Sequence, residues 1–286
     1  MPQSTDPIVI VGAARSPIGS FGSAFRTTPA HVLGAHAVTE ALQRAGIAKE
    51  DVDEVVMGCI GQIGPDAYNA RRVALAAGLP QSTPAFNVNR LCGSGLQAVW
   101  SGAAQLQWGG TDVVVAGGNE NMSRLPFYDY SARFNDRLGD RTLTDGVLSM
   151  LTDPFSWKHM GVTAENVARK YGISRAEQDE FAAESQRRAA TPEAQQAFAE
   201  EIVPVLQEGK NLALIEHDEH PRPGTTVEKL AGLRSAFIEN GSVTAGNSSG
   251  INDGAGAVVL TRESTAKERG LVPLVSLVAI ETAAME

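Results

Sequence analysis

Two hydrophobic rhythms alternate along the chain. A continuous apolar run at 8–14 reads as a strand covered on both faces, 54–60 as the next strand, 112–118 as another buried strand and 258–260 as a core strand. Between them lie segments with apolar residues every three or four positions. The first spans about 28–45: Thr28 is the N-cap, Pro29 sits in the first turn, Leu33, Ala37, Ala41 and Leu42 share a face, and Gly46 supplies the stop. A second helix over 69–77 ends at Gly78-Leu79-Pro80, and a third covers 96–106 before the breaker Gly109-Gly110. Strands alternating with helices predict an α/β fold with a mainly parallel sheet and right-handed crossovers.

The rhythm dissolves from 124 to about 153, where aromatics, arginines and aspartates mix without a period, as in a loop excursion or an oligomer contact. It resumes in a helix beginning near 158. Ser174-Arg175-Ala176-Glu177 is a capping box that opens another helix, running to about Ala190, with Glu180, Glu184, Arg187 and Arg188 on a solvated face. Residues 200–205 read as a short strand, 265–269 as a helix end stopped by Gly270, and 273–279 as a last strand.

Composition narrows the class. With 286 residues, 43% of them hydrophobic and 20% charged, the chain can bury a sizeable core. A formal charge of −9 argues against a nucleic-acid surface but leaves room for an anionic small ligand. The two cysteines, Cys59 and Cys92, make no disulfide framework, so a reducing cytoplasmic setting is expected. The start has neither a basic nor an apolar signal region, and the apolar stretch 271–280 is too short to span a membrane. Gly12-Ala13-Ala14-Arg15 does not match the dinucleotide fingerprint, so no nicotinamide cofactor is expected. His31 and His36 read as ordinary helix residues. His217-Asp218-Glu219-His220 is consecutive, flanked by prolines and lacks a distant third ligand, so no metal is expected there.

One segment carries chemistry by itself. In Asn89-Arg90-Leu91-Cys92-Gly93-Ser94-Gly95 a cysteine stands where a strand gives way to a helix. Unpaired amides at a helix start stabilise a thiolate, which makes it a nucleophile at neutral pH, and the two glycines allow a tight turn and close approach of a substrate. A buried structural cysteine is the competing reading; it is the one adopted for Cys59.

This segment resembles the active-site segment of the thiolases (acetyl-CoA acetyltransferases and 3-ketoacyl-CoA thiolases). Four further stretches match in order: Arg15-Ser16-Pro17-Ile18-Gly19, Gly117-Gly118-Asn119-Glu120-Asn121-Met122-Ser123, His159-Met160-Gly161-Val162-Thr163-Ala164-Glu165-Asn166 and Thr244-Ala245-Gly246-Asn247-Ser248-Ser249-Gly250-Ile251-Asn252-Asp253-Gly254-Ala255. The resemblance implies a layered thiolase-like fold: an N-terminal core domain from 1–120 and 243–273, an inserted loop domain over 121–242, and the start of a second core domain at 274–286. It implies Cys92 as the acyl-accepting nucleophile. Leu151, His159, Met160, Phe237, Ala245 and Ser249 would lie along the coenzyme A pantetheine, and Arg222 on the phosphate side. Acetyl-CoA and 3-ketoacyl-CoA would be substrates, with no resident cofactor, in a homodimer or homotetramer.

No histidine follows His220 and no cysteine follows Cys92. The thiolase segments that supply the catalytic histidine and the second, acid/base cysteine are therefore not within these residues. The resemblance implies a truncated or split thiolase with little turnover alone and an exposed apolar face. The competing functions are a related ketoacyl or hydroxymethylglutaryl-CoA synthase and a non-catalytic acyl-CoA-binding or interaction protein.

Overall fold

The structure is a computed structural model, and it describes residues 6–108, 110–134, 138–207 and 213–284. The opening residues 1–5, Gly109 of the expected helix breaker and the last two residues of the expected second core thus lie outside the described residues. In chain order the elements begin β1 (Ile8–Arg15), β2 (Gly19–Ser20), α1 (Ala30–Ala45), β3 (Glu54–Gly58), α2 (Asn69–Ala76), β4 (Ala85–Val88), α3 (Ser94–Trp108) and β5 (Val113–Asn121). Next come β6 (Phe127–Tyr128), β7 (Thr144–Asp145), α4 (Gly146–Met150), α5 (Met160–Tyr171), α6 (Arg175–Ala189) and α7 (Pro192–Glu201). The remainder is β8 (Val205–Gln207), β9 (Ala213–Ile215), α8 (Val227–Ala231), β10 (Asn252–Arg262), α9 (Glu263–Glu268) and β11 (Val275–Ser276). None of the described helices is long and apolar enough to cross a membrane.

The chain divides into two compact units, one of residues 1–121, 201–218 and 252–286, the other of 122–200 and 219–251. The first is built on a sheet of strand order β11–β1–β10–β5–β3–β4, with β2 paired to β10. β3 pairs in parallel with β4 and β5, whereas β10 is antiparallel to both β5 and β1. β1, β3, β4 and β5 therefore point one way, as a mainly parallel sheet requires. The ladders are nevertheless mixed, because β10 returns between β1 and β5.

Side chains alternate across this sheet into two cores. Val9, Val55, Met57, Val113, Val115 and Val259 pack with α1 and α2, while Ile8, Val56, Val114, Ala116 and Leu260 pack with α3. Covering both faces with helices is what permits uninterrupted apolar strands. α1 ends at Gly46 as expected, with φ 69°. It starts at Ala30 with Pro29, not the expected Thr28, at the N-cap and no side-chain cap; the carbonyls of Phe25 and Thr28 accept from the Asn121 side-chain amide at 2.7 Å each.

Two further expectations are corrected. Glu200 and Glu201 belong to α7, a run of good helix formers, and the strand begins only at Val205, beyond Pro204. Of 273–279 only Val275–Ser276 is strand, opposite Val9 and Ile10 of β1, with the Leu274 and Leu277 amides donating to the Ile10 and Ile8 carbonyls at 2.8 Å each.

In the second unit the patternless stretch holds the short β6–β7 pair and α4, whose N-cap Asp145 accepts from the amides of Val147 and Leu148. The capping box at Ser174 is complete: its hydroxyl accepts from the Glu177 amide, and the Glu177 carboxylate accepts from the Ser174 amide at 2.7 Å.

Candidate active site

Cys92 occupies the turn between β4 and α3, two residues ahead of the helix, and it is exposed. The turn is shaped by hydrogen bonds on either side of the sulfur. The buried Ser94 hydroxyl accepts from the Arg90 amide at 2.8 Å and donates to the Leu91 carbonyl at 2.6 Å; the Asn89 side chain accepts from the Leu91 amide at 3.0 Å. Leu91 is held at φ 47°, left-handed backbone that a branched side chain rarely adopts. The Arg90 guanidinium lies over the Trp100 ring, 5.5 Å from its centroid.

The helix start rests on small residues. A Cβ at Gly58, the last residue of β3, would lie 2.4 Å from the Ser94 carbonyl carbon and 2.7 Å from the Gly95 nitrogen, so only glycine lets α3 come this close. Beside it, Glu120 of β5 accepts from the amides of Ile60 at 2.8 Å and Gly61 at 3.1 Å. Burial pushes the Glu120 carboxyl above the usual range, against the pull of those amides. Cys59 is buried, as expected of a core residue, with its sulfur 3.8 Å from Glu120; burial, with the nearby carboxylates Glu120 and Asp66, drives its thiol far up, so it is no nucleophile.

The other unit gathers most of the remaining candidates. His159 is the N-cap of α5: its Nδ1 accepts from the Gly161 amide at 3.0 Å, which puts the proton of the neutral ring on Nε2. The ring stacks on Phe237 with centroids 4.9 Å apart and planes 17° from parallel. Met160, half-exposed, follows directly, and its amide donates to the Leu151 carbonyl at 2.9 Å. Leu151, His159, Met160 and Phe237 thus form one cluster.

Ala245 and Ser249 are exposed on the small-residue loop after Val243, and that loop is tied to Phe237 by the Ala236 amide donating to the Val243 carbonyl at 2.9 Å. Arg222 is not part of the cluster. Its amide donates to the Gln186 side chain at 2.7 Å, which sets it at the C-terminal half of α6 with its side chain exposed.

Positioning residues that sequence reasoning left without a role carry this loop. The buried Glu165 carboxylate accepts from the Ser242 amide at 3.0 Å, the Ser242 hydroxyl at 3.0 Å and the Val243 amide at 2.8 Å. Burial alone would push its pKa up; the donated hydrogen bonds outweigh it and hold the carboxyl below the usual range. Asp179, also buried, joins the Arg175 guanidinium at 2.7 Å to the Asn247 amide at 2.9 Å, and Asn247 in turn accepts from the Thr244 amide at 2.7 Å. The only signal in the sequence is that Glu165 and Asn247 fall inside matching motifs.

Among the described residues no three or more His, Cys, Asp or Glu side chains gather as metal ligands. The Asp218 carboxylate is occupied by Arg15, at 2.8 and 3.0 Å, and by the Ile18 amide at 2.8 Å.

Fold and site together define a layered α/β protein that presents a cysteine at a strand-to-helix turn. A family model described as the thiolase N-terminal domain matches residues 8–264. The beta-ketothiolase BktB of Cupriavidus necator is 47% identical over 277 residues, 96% of this chain and 70% of its own. An acetyl-CoA acetyltransferase of Rhizobium meliloti is 45% identical over 285 residues, 99% of this chain and 72% of its own. The crystal structure of the Bacillus anthracis acetyl-CoA acetyltransferase matches with a TM-score of 0.92 at 43% identity, over 95% of this chain and 69% of its own. The chain belongs to the thiolase family, a family of acyltransferases.

Proposed function

We propose that the chain is the nucleophile-bearing part of an acyl-CoA acetyltransferase that makes or cleaves 3-ketoacyl-CoA through an acyl group on Cys92. The observation that carries the reading is the exposed Cys92 on a turn locked by Ser94 at the start of α3. In the half-reaction these residues serve, the Cys92 thiolate adds to the acetyl-CoA carbonyl, the thioester bond to coenzyme A breaks, and coenzyme A leaves as its thiolate. The Cys92 amide supplies part of the oxyanion hole.

On this reading Leu151, His159, Met160, Phe237, Ala245 and Ser249 hold the pantetheine, with His159 Nε2–H as a donor, and Arg222 serves the phosphates. Carbon–carbon bond formation also needs a base for the α-proton of acetyl-CoA. The thiolase segments that carry the catalytic histidine and the second cysteine are not within these 286 residues, and the buried Cys59 cannot stand in for them, so a polypeptide of these residues acylates but turns over little. The two free thiols suit a reducing cytoplasm, and thiolase kinship favours a homodimer or homotetramer.

The test incubates the chain with acetyl-labelled coenzyme A and maps the label by peptide mass. Label on Cys92, lost in Cys92→Ala, is expected, together with slow thiolysis of acetoacetyl-CoA. Coenzyme A binding without any label would instead establish a non-catalytic acyl-CoA-binding protein, and robust thiolysis would refute the low turnover.

A further inference from the structure

Glu120 is a part-buried carboxylate that takes part in none of the ion pairs among the described residues. Keeping a charge in such a place is costly unless the bonds it makes hold something in position. Its carboxylate accepts from the amides of Ile60 and Gly61, in the loop that leaves β3, and from the Cys59 thiol at 3.8 Å at the start of that loop. This loop meets the nucleophile turn at both ends. The Cys59 amide donates to the Val88 carbonyl at 3.3 Å, at the last residue of β4 before the turn. Gly58 is packed against the Ser94 backbone, at the first residue of the helix beyond it. Gln62 closes the loop on itself, donating to the Cys59 carbonyl at 2.6 Å.

We infer that Glu120 is a positioning residue for Cys92: by holding the Ile60 and Gly61 amides it fixes the bed on which the turn from Val88 to Ser94 is set. The inference rests on the acyl-cysteine reading. A carboxylate suits the task because both amides point at one side chain and an ionised carboxylate only accepts, whereas a glutamine would turn its own N–H groups toward one of them. If the loop relaxes, Gly58 and Val88 shift, and Cys92 moves relative to the α3 amides.

The experiment measures single-turnover transfer of acetyl from acetyl-CoA to Cys92, per folded molecule, in the wild-type chain, Glu120→Ala and Glu120→Gln. The maximal rate is expected to fall about tenfold or more in Glu120→Ala and less in Glu120→Gln, with the half-saturating acetyl-CoA concentration unchanged. A residue of structural importance alone would lower the melting temperature and leave this rate intact; wild-type rates in both variants would overturn the inference. If Glu120→Ala does not fold, Glu120→Gln, which keeps the volume and one acceptor, decides by the same criterion. If the wild-type chain takes up no acetyl group, it is the acyl-cysteine reading that fails. The alkylation rate of Cys92 by iodoacetamide then replaces acylation, a fall in the variants being expected and equality overturning the inference.

Discussion

Gly161→Ala isolates the contact on which the His159–Phe237 cluster depends. A Cβ at position 161 would stand 2.2 Å from Phe237 Cγ and 2.3 Å from each Cδ. Carbon atoms pack at about 3.5–4.0 Å, so the ring must retreat by more than about 1 Å. The helix cannot give way instead without breaking the bond from the Gly161 amide to His159 Nδ1. The retreat opens the stack on His159 and drags on the loop that carries Ala236 and Val243. Overpacking costs about 1–3 kcal/mol and the lost ring pair about 0.5–1.5 kcal/mol, while alanine in a helix returns about 0.5–1 kcal/mol. The expected net destabilisation is about 0.5–4 kcal/mol, read by urea unfolding at an unchanged slope. Calorimetric titration should show coenzyme A bound about tenfold more weakly. Adding Phe237→Leu makes room for the methyl group, so the double variant should be less destabilised than the two single losses together. A neutral Gly161→Ala, or losses that add within about 0.5 kcal/mol, would refute the steric reasoning.

Glu165→Gln should cost about 2–4 kcal/mol, because an amide has a single acceptor oxygen and would turn its NH2 toward either the Ser242 or the Val243 donor. The folded carboxyl of Glu165 lies below its unfolded value of 4.5. Its stabilisation is therefore full above about pH 4.5 and lost as pH falls through the folded value, so unfolding free energy measured against pH should drop in acid for wild type and be flatter for Glu165→Gln. Ser94→Ala removes an acceptor from the Arg90 amide and a donor from the Leu91 carbonyl; about 1–2 kcal/mol of stability and about a tenfold loss in acetyl transfer to Cys92 are expected, and an unchanged transfer rate would show that the turn does not need its lock. Asp218→Asn loses the charge facing Arg15 and should destabilise the first unit by about 1–3 kcal/mol in denaturant, without changing Cys92 acylation.

What the sequence made legible is local. Strands β1, β3 and β5 announce themselves because covered faces demand apolar residues at every position, and the helix stops at Gly46 and Gly270 because left-handed backbone favours glycine. The capping box at Ser174 is a pattern of four adjacent residues. The place of β10 was not legible: its partners at 8–15 and 113–121 lie far off in the chain, and nothing local states that it runs between them. Nor was the N-cap role of His159, since histidine is not among the residues whose short oxygen-bearing side chains favour that position. Glu165 and Asp179 carry no local signal of their role; their burial comes from amides at 242–247 that the helices meet only once folded. Cys92 was legible as a candidate because the chemistry of a helix start is itself local, whereas the packing that sets it, Gly58 against Ser94, is not.

The two units are held by different physics, and this bears on what each can do. The first buries two facing layers of aliphatic side chains around its sheet. In the second, the buried hydrophobic residues among those described are Val147, Ala168, Leu230 and Val243. So small a core cannot by itself fix a loop as rich in glycine, serine and asparagine as 241–250. The loop is shaped instead by carboxylates reaching it from helices, Glu165 on α5 and Asp179 on α6, with Asn247 passing the second restraint back to the Thr244 amide. Directional bonds of this kind set backbone geometry while leaving Ala245 and Ser249 exposed, and an apolar core could do so only by covering them. The hydrogen bonds that hold the Glu165 carboxyl below its usual range tie the shape of this loop to pH, because protonating that carboxylate releases the Ser242 and Val243 amides. On the acyl-cysteine proposal, a cysteine turn set on an apolar sheet and a small-residue loop held by carboxylates answer separate requirements: the sulfur needs a fixed place, and the loop needs open small residues in a fixed shape.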